Sequence, residues 1–218
     1  SAFSMSYAAD LVAELIQTQA HSGVAHVVGL SEGAQVAVEL ISRHPELVDH
    51  ALISSAILLP LPGAKLYTEA LLRWSYRWFI TPFKNNDWWI KINMHYAAGV
   101  PDAYFESFKS SFQNISEDGY THIMQSNMSY RLPAGLEKFS CPVLVVVGSK
   151  EYKQMKDSAA DLIAVLPNAR GAMVNLGAKA TLSSEHNWAM TAPALFTRTL
   201  GTFLQGESLP SELIPEIR

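Results

Sequence analysis

Residues 24–44 read VAHVVGLSEGAQVAVELISRH. The run from Val24 to Gly29 is short, apolar and rich in β-branched residues, which suits a strand buried on both faces, as in a parallel sheet. From Glu32 the period changes. Val36, Leu40 and Ile41 supply a helical apolar face, Gly33, Ala34 and Ala37 are small, and Pro45 stops the pattern. Between strand and helix lies Gly29-Leu30-Ser31-Glu32-Gly33, a G-x-S-x-G sequence. A chain that turns from a strand end straight into a helix leaves no room for side chains beside the turn, so glycine is expected at both Gly29 and Gly33. The same turn lifts a serine hydroxyl out of the sheet and aims the free N–H groups of the helix start at a reacting oxygen. Ser31 is the candidate nucleophile. The alternative is a glycine-bracketed turn carrying an unreactive serine.

Outward from this stretch the same alternation continues. Before it, residues 6–19 form a helical pattern with Leu11, Val12, Leu15 and Ile16 on one stripe. After it come a buried strand over 51–59, and, far downstream, the clearest strand in the chain, PVLVVVG at 142–148. A helix over 155–166, a short strand over 172–176, an amphipathic helix over 192–204 and an extended end over 209–218 complete the order. Strand alternating with helix predicts an α/β fold with a mostly parallel sheet of at least four strands and right-handed crossovers.

The stretch 60–133 interrupts this order. It shows no strand pattern, holds four of the five tryptophans, and is too long for a loop in a compact domain. It predicts a helical insertion, with residues 1–59 and 134–218 forming the core on either side. Its aromatics, with Trp74, Trp78 and Trp88 prominent, suit either a small helical core or a wall for apolar ligands. Leu30 and Trp188 are candidates for the same wall.

Composition narrows the function. The 218 residues are 49% hydrophobic and only 17% charged, below the roughly 25% usual in soluble domains, which fits elements buried on more than one face. Sixteen basic residues against 20 acidic ones exclude a nucleic-acid binder driven by bulk charge. One cysteine, Cys141, excludes an internal disulfide framework and a cysteine-rich zinc site. No apolar run approaches the ~20 residues of a membrane span, and no cleavable leader opens the chain, so a cytoplasmic protein is expected. Metal-protease, P-loop, EF-hand and dinucleotide motifs are missing, so no metal or organic cofactor is expected.

A serine nucleophile needs a base. Of seven histidines, His26 falls inside the strand, His21, His44 and His50 fall on the wrong side of the turn, and His95 and His122 fall in the insertion. His186 lies between the last strand and the last helix, at the carboxyl edge where α/β sites form. It is the candidate base, against the alternative of a surface-loop histidine. Glu151, three residues beyond the strongest strand, is the candidate orienting acid, against a solvated glutamate in the run Lys150-Glu151-Tyr152-Lys153. Asp157 and Asp161 fall on the following helix, and Glu185 is too close to His186 in sequence to orient its ring.

The order Ser31, acid, His186 resembles the α/β-hydrolase fold family. The resemblance rests on residues 25–59, on CPVLVVVGSKE at 141–151 and on HNWAMTAPALF at 186–196, and it covers nearly all of the chain. It implies Ser31 as nucleophile, His186 as general base, Glu151 as acid, the Glu32 backbone N–H as an oxyanion donor, and the insertion 60–133 as a cap. Leu30 stands where histidine is frequent, Glu151 where aspartate is frequent, and the loop 177–185 is long. The family's second oxyanion donor comes from an early loop, often His-Gly, preceded by several strands. Only one helical pattern precedes residue 24 here. The edge of the Val24–Gly29 strand is therefore expected to be open, and to be filled by a missing segment, by a second chain, or by nothing in an inactive truncated product. The expected function is serine-dependent hydrolysis of an ester or related acyl bond in a small, partly hydrophobic substrate. The alternative is a non-catalytic ligand-binding or interaction protein on a truncated hydrolase scaffold.

Overall fold

The computed structural model describes residues 2–60 and 63–215. Ser1, residues 61–62 at the start of the expected insertion, and residues 216–218 of the expected extended end lie outside the described residues. The chain begins with α1 (Met5–Gln19), β1 (Ala25–Leu30), α2 (Glu32–Arg43) and β2 (Val48–Ser54). The insertion contributes α3 (Glu69–Ser75), α4 (Asp87–Ile92), α5 (Phe105–Asn114) and α6 (Glu117–Ser129), with π-helical turns at Tyr76–Ile80 and Asn93–Ala98. The alternation then resumes with β3 (Val143–Gly148), α7 (Lys153–Val165), β4 (Ala169–Val174), α8 (Leu182–His186), α9 (Trp188–Thr191), α10 (Pro193–Leu204) and β5 (Leu213–Ile214).

The sheet order is β1-β2-β3-β4-β5. The first four strands are parallel, and only the two-residue β5 runs antiparallel, against Met173 and Val174. This is the α/β architecture expected from the alternation. Successive residues of β3 enter two different cores. Val143, Val145 and Val147 join α1, α2 and α7 through Ile16, Val38, Ile41 and Leu162. Leu144 and Val146 join Trp188 and Phe203 on the opposite face. All six residues of β3 are buried, which is why its sequence shows no polar alternation.

Several expectations need correction. β1 is not buried on both faces. Ala25 and Val27 pack on the α1–α2 side, whereas His26 is exposed and Val28 is 43% exposed, because α9 and α10 cover the inner strands and stop short of β1. Among the described residues β1 pairs only with β2, so its outer edge is open, as expected. On α1 the inward face is Met5, Ala9, Ala13 and Ile16, while Leu11 and Leu15 point outward with Tyr7. The small alanines allow α1 to approach α2 closely, and the bulky leucines take the other side. β2 starts earlier and ends at Ser54, because Ser55 adopts φ +60° and turns the chain out of the sheet. β4 spans 169–174, where it stays in register with all six residues of β3. The described residues between β2 and β3 form helices and turns without a strand. No helix among the described residues is long and apolar enough to cross a membrane.

Candidate active site

The carboxyl ends of the four parallel strands carry the candidate residues. β1 ends at Leu30 and passes directly into Ser31, which has φ 56° and ψ −117°, outside any regular region for a residue with a side chain. Such strain costs about 1–3 kcal/mol and persists only where surrounding structure holds it. Here the Ser31 N–H donates to the Ser54 carbonyl at 2.9 Å, and the Ser31 carbonyl accepts from the N–H groups of Ala34 and Gln35 at 3.0 and 3.3 Å. The residue is thus tied to the neighbouring strand on one side and to the first turn of α2 on the other.

The two glycines of the motif differ. A Cβ on Gly29 would lie 2.4 Å from the Gly33 carbonyl oxygen and 2.6 Å from Ala34 Cα, so no other residue fits. A Cβ on Gly33 would meet nothing within 4 Å. The expectation that the turn requires both glycines therefore holds sterically for Gly29 alone, because Gly33 already lies in α2 with its α-carbon facing open space.

Beside Ser31, Glu32 turns its carboxyl inward. Burial pushes it above the ordinary 4.5, opposed by a hydrogen bond from Asn127 of α6. Its Oε1 is buried with no partner among the described residues.

Glu151 and His186 meet. His186 Nδ1 lies 2.5 Å from Glu151 Oε1, with the glutamate side chain fully buried and the imidazole 18% exposed. Glu151 Oε2 accepts the Gly148 N–H at 3.1 Å, which fixes the second oxygen. His186 is the last residue of α8, a short helix capped by Thr181 in a capping box with Ser184, rather than part of an irregular loop. A ring nitrogen facing a buried carboxylate fixes the orientation of the imidazole and turns Nε2 away from the acid. Ser31 Oγ and His186 Nε2 are not hydrogen-bonded. Two of the three candidate residues are therefore brought into contact, and Ser31 stands at the carboxyl end of β1, which β2 separates from β3.

The aromatic candidates divide. Trp188 is fully buried in the core, and its Nε1 donates to Ser54 Oγ at 3.0 Å. It supports the sheet from below and is not a pocket wall, a correction that its place in the second core cluster explains. Trp74, Trp78 and Trp88 are exposed, with Trp74 edge-to-face on Phe79 at 5.5 Å. Leu30 is half-buried beside the turn. A surface cavity within the insertion is lined by other residues, among them Tyr67, Gln125, Met128 and Arg131.

Two further residues of this region, Ser55 and Glu185, are buried beside the candidates. Ser55, at the end of β2, shares with Ser31 a positive φ, and its buried Oγ has no partner. Glu185 is completely buried beside His186, and its carboxylate grips the turn that carries Glu151. In the sequence, adjacency to His186 is the only signal for Glu185, and it does not reveal that the carboxylate turns away from the ring to the loop after β3. At the opposite end of the strands, Asp49 Oδ2 lies 3.0 Å from His50 Nδ1 and 3.4 Å from His26 Nδ1. This is the trio among the described residues that brings metal-ligand atoms together, with His50 hydrogen-bonded to the carboxylate and His26 in ion-pair range of it.

No protein-family model matches the chain, and no curated protein matches it. Solved structures do. An esterase from Exiguobacterium antarcticum superposes with a TM-score of 0.69 at 15% identity, over 94% of this chain and 75% of that one. An enol-lactonase from Burkholderia xenovorans LB400 gives 0.65 at 16% identity, over 93% and 74%. An α/β-hydrolase enzyme from a Medee basin deep-sea metagenome library gives 0.67 at 16%, over 97% and 76%. Together with the parallel sheet, the strained serine after β1 and the histidine after β4, these matches show that the chain has the α/β-hydrolase fold.

Proposed function

We propose that the protein is a serine hydrolase that cleaves an ester or related acyl bond of a small, partly hydrophobic substrate. The observation that carries this is the 2.5 Å contact of His186 Nδ1 with buried Glu151, set on the same strand ends as the strained Ser31 turn. Ser31 Oγ attacks the carbonyl as His186 Nε2 takes its proton, and Glu151 holds the imidazole and stabilises the imidazolium. The tetrahedral oxyanion takes the Glu32 backbone N–H. On collapse, the bond to the leaving alcohol breaks and His186 returns the proton to it. Water then attacks the acyl-enzyme by the same route, releasing the acid and freeing Ser31. The chemistry requires no cofactor. The insertion 60–133 acts as a cap, with Leu30, Trp74, Trp78 and Trp88 offering apolar surface to the substrate. The esterase and enol-lactonase among the similar structures support the acyl class.

A second reading makes the chain a non-catalytic binding module on the hydrolase scaffold; the edge of β1, unpaired among the described residues, marks where a strand from a second chain or a further segment would pair. A fluorophosphonate probe decides between them. The proposal expects labelling of the folded protein that disappears in Ser31→Ala, together with hydrolysis of a p-nitrophenyl ester that collapses in His186→Ala and is impaired in Glu151→Gln. Labelling that survives Ser31→Ala refutes the nucleophile. A folded protein that takes no label favours the binding module.

A further inference from the structure

Glu185 is a fully buried carboxylate with no basic side chain paired to it among the described residues. Every hydrogen bond it makes reaches one of two strand ends. Oε2 accepts the Lys150 N–H at 2.8 Å and Oε1 accepts the Leu176 N–H at 3.1 Å. Ser149 Oγ lies 3.2 and 3.0 Å from the two oxygens. Burial of such a group is costly unless its lone pairs are filled, and here they are filled by the turn after β3 and the chain after β4. Both oxygens accept from a backbone N–H. A carboxylate meets that demand and an amide cannot, because one end of the amide would present N–H to N–H.

The fit around it is close. A Cβ on Gly148 would lie 2.8 Å from Glu185 Cβ and 3.2 Å from Glu151 Cγ, so the two glutamates flank one glycine. The attachment is also reciprocal. Lys150, whose N–H is held by Glu185, sends its Nζ back to the carbonyls of Gly177 and Ala178 at 3.1 and 3.2 Å and to that of Ala180. The turn bearing Glu151 and the segment bearing His186 are thus locked to one another by groups that touch neither Ser31 nor the imidazole.

We infer that Glu185 is the positioning residue of the Glu151–His186 pair, setting the distance between acid and base by clamping their two loops together. This rests on the proposed roles of Glu151 and His186. A shift of about 1 Å in such a pair costs on the order of 10²-fold in rate.

The test is Glu185→Gln, which keeps the shape and breaks the acceptor pattern. Thermal melting establishes that the variant folds. The proposal expects kcat on a p-nitrophenyl ester to fall about 10²-fold with KM within about twofold. It also expects the low-field proton resonance of the His186 ring N–H, assigned by its loss in His186→Ala, to move or vanish. A folded variant with the wild-type resonance and wild-type kcat overturns it. Where Glu185→Gln does not fold, Ser149→Ala removes one donor and leaves both backbone contacts. A kcat reduced several-fold with a shifted resonance then supports the clamp, and wild-type values for both overturn it. The resonance reports on the clamp independently of turnover. If Ser31→Ala keeps its activity, the proposed nucleophile fails while the Glu185 measurement still stands.

Discussion

Replacing Gly29 by alanine tests the reasoning about the turn most directly. The added Cβ would fall 2.4, 2.6 and 2.8 Å from three backbone atoms of Gly33 and Ala34. All belong to the first turn of α2, so no side chain can swing away. Reaching ordinary contact requires the strand end and the helix start to part by about 1 Å, an overpacking that costs roughly 1–3 kcal/mol. For a chain of this size that lowers Tm by roughly 3–10 °C. The displaced atoms carry Ser31, so the rate of fluorophosphonate labelling should fall about 10²-fold even at temperatures where the protein is folded. Gly33→Ala is the internal control. Its Cβ meets nothing, and alanine is the better helix former, so stability should stay level or rise by up to about 1 kcal/mol. Differential scanning calorimetry with a labelling time course at one temperature reads both effects. A Gly29→Ala protein with wild-type Tm and labelling rate, or a Gly33→Ala protein damaged as badly, refutes the account.

Two further outcomes follow from the surroundings of the turn. Burial raises the Glu32 carboxyl in the folded state, so its ionisation opposes folding, and the stability present below its unfolded value is lost as pH rises through the folded one. Glu32→Gln removes that loss, and its advantage in Tm over wild type should grow between about pH 4 and pH 7; an advantage that shrinks over that range contradicts the assignment. The open edge of β1, with Val28 43% exposed, is a template for pairing with another strand. Sedimentation of the 218-residue chain should show concentration-dependent association that Val28→Lys suppresses, and equal association of the two proteins would place the contact elsewhere.

Much of the architecture was legible because burial on two faces leaves a mark in composition. The unbroken PVLVVVG run announced β3, and the change of period at Gly29–Glu32 located the turn, since a residue with strained backbone needs a strand on one side and a helix on the other to hold it. His186 and Glu151 were found by their position after strands, because parallel strands deliver all their carboxyl ends to one edge. Local pattern could not tell which side of α1 faces inward, because Leu11 and Leu15 are as apolar as a core face requires and only the closeness of α2 selects alanine instead. It could not separate Gly29 from Gly33, whose difference is the presence of Ala34 two or three ångströms away in one case and of nothing in the other. Trp188 looked like a pocket residue until the packing of α9 under β2 put it in the core.

The sequence alone determined the fold class, the strand-to-helix turn at Ser31 and the candidates for base and acid, since each depends on residues close together in the chain. The contact that makes Glu151 and His186 a pair and the burial of Glu185 between their loops were decided only by the tertiary structure. They depend on which strand ends lie side by side, and residues 35 positions apart in sequence become neighbours only when β3 and β4 pair.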